Sequence, residues 1–250
     1  MKLFDYLQTA PLLFGILPTA HALVGSSWTV TNVPSTGLTD ITFPITIVEA
    51  DHIAGYYFAQ QFNFVGLADV GYTGIQPRPD DSDGLAVLHG VFSSFVPGST
   101  TSDSNCSPGA DGGAGVSCSV EWNGVYGRQY NFEVKTTGNN LWVGTAVDTV
   151  TGQRIHIGSY TLPAGSQGIQ SPQAGFVEWY PWNSGEPPNH CARLPYQKTI
   201  FGNPTTTHAG SVGQQSLSYE YGDCVGQVAF HTESVAGGVE NNCGFQGQSG

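Results

Sequence analysis

Charge is what this chain has least of. Asp, Glu, Lys and Arg together make up 10% of its 250 residues, and Lys and Arg number 7 against 19 Asp and Glu, a formal net charge of -12. So few cations cannot neutralise a run of phosphates, which excludes nucleic acid as a partner. Anionic membrane surfaces are excluded for the same reason. Pectate-like or alginate-like polysaccharides, whose carboxylates need cationic partners, are excluded with them. Secreted β proteins share this low-charge composition.

Other signatures are missing too. Gly, Pro and β-branched residues interrupt every window, so no segment keeps a helical period. There is no G-x-S-x-G elbow, no H-E-x-x-H and no P-loop. No C-x-x-C spacing marks a metal cluster. The acidic stretch PDDSDG (79–84) lacks the spacing and distal Glu of an EF-hand loop, and reads as a solvated turn. No cofactor is expected, with a structural calcium at that turn the one ion left open. An N-terminal copper-ligating His is not expected, because cleavage before His21 would break the small-x-small pattern.

The apolar runs are short. Leu12 to Leu17 follow the positive start at Lys2 and precede Ala20-His21-Ala22. That arrangement reads as a secretory signal over residues 1–22, too short to span a bilayer. A buried N-terminal helix is the competing reading. A secreted, extracellular chain beginning near Leu23 follows. In that compartment the cysteines Cys106, Cys118, Cys191, Cys224 and Cys243 read as disulfides. Cys106 and Cys118 flank the Gly-rich SPGADGGAGVS and form the natural local pair. Of the remaining three, Cys191–Cys224 and Cys224–Cys243 are both open, with one thiol to spare. Asn105-Cys106-Ser107 matches a glycosylation sequon, but has a half-cystine at its centre.

What is present is a succession of strand-like runs separated by turn signals. They include SWTVTNV (27–33), ITFPITIVE (41–49), GYYFAQQFNFVG (55–66), LAVLHGVFSSF (85–95), SCSVEW (117–122), QYNFEVKT (129–136), NLWVGTAVD (140–148), RIHIGSYTL (154–162) and GFVEWY (175–180). This is an all-β pattern, most economically a single two-sheet sandwich of jelly-roll type. Residues 23–183 form the main body. Residues 184–250 read as a disulfide-stapled extension of the same domain, with a separate small domain as the alternative. Nothing in the sequence sets the oligomeric state.

Alternation assigns faces. Tyr56, Phe58, Gln60, Phe62 and Phe64 share one side of 55–66, and Tyr57, Ala59, Gln61, Asn63 and Val65 the other, a shallow polar surface. Ile155 and Ile157 oppose Arg154, His156 and Tyr160. In GFVEWYPWN (175–183), Val177 and Trp179 make a core pair. Glu178 then shares the outward face with Phe176, Tyr180 and Trp182. Aromatic faces beside a carboxylate can stack on and hydrogen-bond sugars. A desolvated carboxyl can also act as a general acid.

VEWNGVYGR (120–128) is a second Glu-Trp pair, with Trp122 and Tyr126. Glu178 and Glu121 are therefore the first catalytic pair to try, since a glycosidase needs carboxyls about 5 to 9.5 Å apart. Asp111 is the next candidate, and His89 or His156 the candidate bases of a lyase.

The series GYTGIQ (71–76), HGVFSSF (89–95), GADGGAGVSCSVEW (109–122), YNFEV (130–134), IGSYTLP (157–163) and GFVEWY resembles the secreted domain of unknown function numbered 3472, over roughly residues 55 to 182. The resemblance implies a secreted sandwich-like domain, often in a glycan-processing context, and no catalytic residues. The first functional expectation is a lectin-like protein binding neutral extracellular or cell-wall carbohydrate through Trp179, Tyr180, Trp182, Trp122, Tyr126, Tyr57, Gln61 and Asn63. A polysaccharide-degrading enzyme using paired carboxylates is the alternative, and a secreted interaction protein without glycan activity a third.

Overall fold

The structure is a computed structural model that describes residues 22–184 and 190–248. The expected signal, up to its last residue, and Gly-Glu-Pro-Pro-Asn (185–189) of the linker lie outside the described residues. The chain forms β1 (Ala22–Val30), β2 (Asp40–Ala50), β3 (Tyr56–Asn63), β4 (Val70–Arg78), β5 (Val87–Ser94), β6 (Cys106–Ala110), β7 (Gly113–Asn123) and β8 (Gln129–Gly138). It continues with β9 (Leu141–Asp148), β10 (Arg154–Thr161), β11 (Gln173–Trp179), β12 (Gln197–Gly202), β13 (Gly213–Gln215), β14 (Tyr219–Glu220), β15 (His231–Val235) and β16 (Gly238–Cys243). Among the described residues there is no α-helix, and none long and apolar enough to cross a membrane.

The strands build two antiparallel sheets, neither closed into a barrel. One runs β13-β1-β11-β3-β4-β5-β7-β6, with β14 also against β1; the other runs β10-β9-β8-β2-β12-β16-β15. The architecture is the two-sheet, all-β one that alternation predicts. The segment after the linker is not peripheral: β12 is hydrogen-bonded between β2 and β16, and β13 and β14 pair with β1.

Alternation explains most of the core. Ile41, Phe43, Ile45 and Ile47 of β2, and Tyr130, Phe132 and Val134 of β8, are buried on one face. Between the sheets, Phe62 of β3 lies 6.3 Å from Phe43, 6.2 Å from Phe92 and 5.6 Å from Phe64. Phe92 continues to Tyr160 at 4.4 Å, Phe43 to Trp28 at 5.1 Å, and Phe64 to Trp142 at 4.9 Å. Truncating a ring in such a set typically costs about 3–5 kcal/mol.

Three departures from simple alternation matter. Tyr160, placed with the outward residues of its strand, is fully buried, because a bulge between His156 and Gly158 reverses the facing. Trp182 is also buried, because β11 stops at Trp179 and the chain enters a 3-10 turn over Tyr180–Ser184. β4, which the sequence reading did not count as a strand, sits between β3 and β5 despite Gly71, Gly74 and Pro77. Gly74 is required there, since a Cβ would run into the Phe58 carbonyl of β3.

Cys106 pairs with Cys118 and Cys191 with Cys224, leaving Cys243 as the buried free thiol. Two disulfides are the chemistry of an oxidising compartment. Gly158 lies against the first of them, where a Cβ would overlap Cys118 Cβ and Cys106 Sγ. Gly158→Ala is expected to lower the melting temperature by several degrees. The same substitution at Gly152, a turn with open space around it but a left-handed φ of 75°, should cost less. Thermal unfolding followed by circular dichroism checks the order.

Candidate functional site

The outward face of the first sheet carries a row of polar side chains set by register. Glu178 on β11 pairs with Tyr57 on β3. Tyr57 is one residue on from the Phe58–Ile75 pair, which puts it beside Gln76 of β4. Gln76 pairs with His89 of β5, and His89 with Glu121 of β7. Directly paired residues share a face. Glu178 and Glu121 therefore lie in one row but four strand spacings apart, roughly 19 Å at about 4.8 Å each. That is too far for the pair of carboxylates proposed from the sequence.

The row has two different ends. At the Glu121 end, Arg78 Nε donates to Glu121 Oε1 at 3.2 Å, and His89 Nδ1 lies 3.1 Å from the same oxygen. Arg78 Nη2 also donates to Gln76 Oε1 at 2.7 Å, and Nη1 reaches the Tyr180 hydroxyl at 3.5 Å. Burial, then the Arg78 guanidinium, hold His89 below the usual imidazole range, although Glu121 pulls the other way. Glu121 itself is open to solvent, with its side chain 54% exposed. This end is a surface ion cluster.

The Glu178 end is enclosed. Glu178 is 8% exposed, Tyr57 is 7% exposed, and Ala59 beneath them is fully buried. The rings of Tyr57 and Tyr72 stand edge-on to Phe176 at 5.6 and 5.0 Å, forming an aromatic wall over β11, β3 and β4. The face that alternation assigned to a shallow polar surface is instead roofed by its own rings. Gln61 and Asn63 continue it, half-buried, with their side chains 3.5 Å apart.

Two further groups come from distant chain segments. Asp111 and Gly112 form the tip of the β6–β7 hairpin, with φ of 46° and 77°, the left-handed pair that an Asp-Gly turn adopts. The residue is exposed at this tip, yet partial desolvation raises its carboxyl above the ordinary range. Tyr221 arrives from the stretch after β14.

These groups are coupled electrostatically. Burial first, then Glu178 and Asp111, push the Tyr72 hydroxyl up to about 12. Burial, then Asp111, Tyr72 and Glu178, raise Tyr57 well above the usual phenol value. Burial, then Glu178, Tyr219 and Tyr72, raise Tyr221. Neither Arg78 nor any other cation figures among the causes for these three phenols. The result is that Glu178 acts on three protonated phenols and Asp111 on two of them, Tyr57 and Tyr72. Asp111, not Glu121, is the second carboxyl that acts on the same phenols as Glu178.

Several predicted residues fall elsewhere. Trp179 and Trp182 are 5% and 6% exposed and belong to the core, so neither presents a face for stacking on a sugar. Trp122 faces inward, its ring 5.7 Å from Tyr130 and close to Gly90. Tyr126 stacks on His52 at 4.4 Å, in a loop beyond the Glu121 end. His156 is tied to Asp103 at 2.6 Å beside the Cys106–Cys118 bridge. The Asp81 carboxylate in PDDSDG accepts the backbone N–H groups of Asp83 and Leu85 and the Asn123 amide. Among the described residues no group of three His, Cys, Asp or Glu side chains is placed to hold a metal.

The residues that the sequence did not offer are Tyr72, Gln76, Arg78 and Tyr221. The first three alternate outward on β4 and were readable once that Gly-rich run was taken as a strand. Tyr221 carried no signal.

No family model matches the chain, and no curated protein matches it. Solved structures similar in fold are two of scytalido-glutamic peptidase, one with a peptide-based transition state analog and one with a transition state analog inhibitor. They are 11% and 13% identical, with TM-scores of 0.49 and 0.45. A third is SCP-B, a member of the Eqolisin family of peptidases, in a complex with the tripeptide Ala-Ile-His, at 10% identity and a TM-score of 0.43. Each comparison covers 91% of this chain and 100% of the other. Likenesses this distant carry no argument about residues or reaction.

A carboxyl whose pKa is raised by folding holds its proton more tightly folded than unfolded. It contributes no penalty well below its ordinary value of 3.8, and an increasing one as pH rises through the shifted value. Asp111→Asn keeps a turn-competent side chain. It should therefore melt like the parent at pH 3 and at a higher temperature than the parent at pH 7. Calorimetry of both proteins at the two pH values checks this.

Proposed function

We propose that the protein is a secreted hydrolase of extracellular polymers that uses Glu178 as its acid–base carboxylate. The observation that carries the reading is the setting of Glu178, almost wholly buried on the outward face of a sheet, paired with Tyr57 and acting on Tyr57, Tyr72 and Tyr221, with the Asp111 charge felt by Tyr57 and Tyr72. A carboxyl shielded from bulk water on the outward face of a sheet is equipped to take a proton from water or to give one to a leaving group. A structural carboxylate would more simply face solvent, as Glu121 does.

Composition narrows the substrate. Negative groups surround the site, so the bound segment is neutral or positively charged. The two disulfides and the signal-like residues 1–22 support secretion. The lectin-like reading has lost the exposed tryptophans on which it depended.

The test sets the secreted chain, residues 23–250, against its Glu178→Gln variant between pH 3 and 8. A soluble neutral β-glucan is assayed for new reducing ends, and a reduced, alkylated serum albumin for new amino termini. Release from one polymer is expected, at least about 100-fold slower in the variant, the usual scale of a lost acid–base group. No release from either, or equal release by both proteins, removes the hydrolase reading.

A further inference from the structure

Among the described residues, the Tyr57 hydroxyl is buried without a hydrogen-bond partner. An orphaned hydroxyl of this kind is costly, and native proteins keep few of them. Tyr160 is also orphaned, but it lies in the inter-sheet core against Phe92, where nothing polar influences it. Tyr57 is different. It stands on the outward face, paired across the sheet with Glu178, and both Glu178 and Asp111 act on it electrostatically.

Its ring cannot easily turn away. Phe176 stands edge-on to it, and Ala59 beneath the rings is closed off. The O–H is therefore held, protonated, beside the enclosed Glu178, with no acceptor of its own.

We infer that the Tyr57 hydroxyl is the donor that fixes an acceptor oxygen of the substrate next to Glu178. The inference rests on the hydrolase reading of the same site, and assigns Tyr57 a role that reading does not need. A fixed donor pointing at an oxygen on which charge builds as a bond is broken lowers the barrier without reorganising at that moment. Tyr57→Phe deletes that oxygen alone and leaves the ring packing against Phe176 intact.

A purely structural hydroxyl and a substrate-facing one give opposite results. The variant's melting temperature without substrate should be unchanged, or higher by about 2–4 °C, as expected when an unsatisfied buried group is removed from a protein of this size. Its kcat on whichever of the β-glucan or alkylated albumin the parent cleaves should fall about 100-fold. A loss of stability by several degrees, or an unchanged kcat, overturns the inference.

Glu178→Gln, run alongside, separates the two ideas. If Glu178→Gln is inactive while Tyr57→Phe is fully active, the role of Tyr57 falls and the hydrolase reading stands. If the parent cleaves neither polymer, binding of both polymers to Glu178→Gln and to the double variant is compared by calorimetry. Binding weakened at least tenfold in the double variant keeps Tyr57 as a ligand donor, and equal or absent binding overturns it.

Discussion

The aromatic run that passes through Phe62 is the contact on which everything else hangs. Trp28 and Phe62 come from one sheet, Phe43 and Tyr160 from the other, and Phe92 closes the path between them. Because side chains alternate along a strand, locking Phe58 and Phe62 inward leaves Tyr57 and Gln61 no choice but the opposite face. A slip of one residue on β3 would bury Tyr57 in the sandwich and turn Phe62 out. The outward face is thus a by-product of inter-sheet packing, and its precision is inherited from a core with little freedom to shift.

On that face, the character of the two ends follows from what covers them. Glu121 is itself open to water and meets the more sheltered Arg78 and His89 at the sheet surface. Glu178 lies among rings supplied by three strands and one distant segment, where water is scarce and charge interactions are felt more strongly. The same residue type is solvated in one place and enclosed in the other.

The strands with clean alternation, such as ITFPITIVE and QYNFEVKT, were readable from the sequence because each has one wet and one dry face. The errors arose where backbone geometry overrode that period. The bulge at His156 reversed Tyr160. The 3-10 turn after Trp179 took Trp182 out of the outward row and into the core. Gly71, Gly74 and Pro77 made β4 look like a loop, although Gly74 is there to let two strands approach. The site was half legible: Glu178 and Tyr57 stood out by pattern, and Asp111 as an acid in a glycine-rich turn. That Asp111 and Tyr221 converge with them depends on tertiary closure, which no local pattern encodes. The choice between Cys191 and Cys243 as the partner of Cys224 was open for the same reason.

The position of β12 has a bearing on how the molecule is made. β2 leaves the ribosome early, pairs with β8, and then keeps one long hydrogen-bonding edge vacant until Gln197–Gly202 has been synthesised. For most of translation the nascent chain therefore carries an open, Ile- and Phe-rich strand of the kind that recruits other chains. That edge stays open until the last fifth of the chain arrives, so truncation near the linker should yield an aggregating fragment, not a smaller working domain.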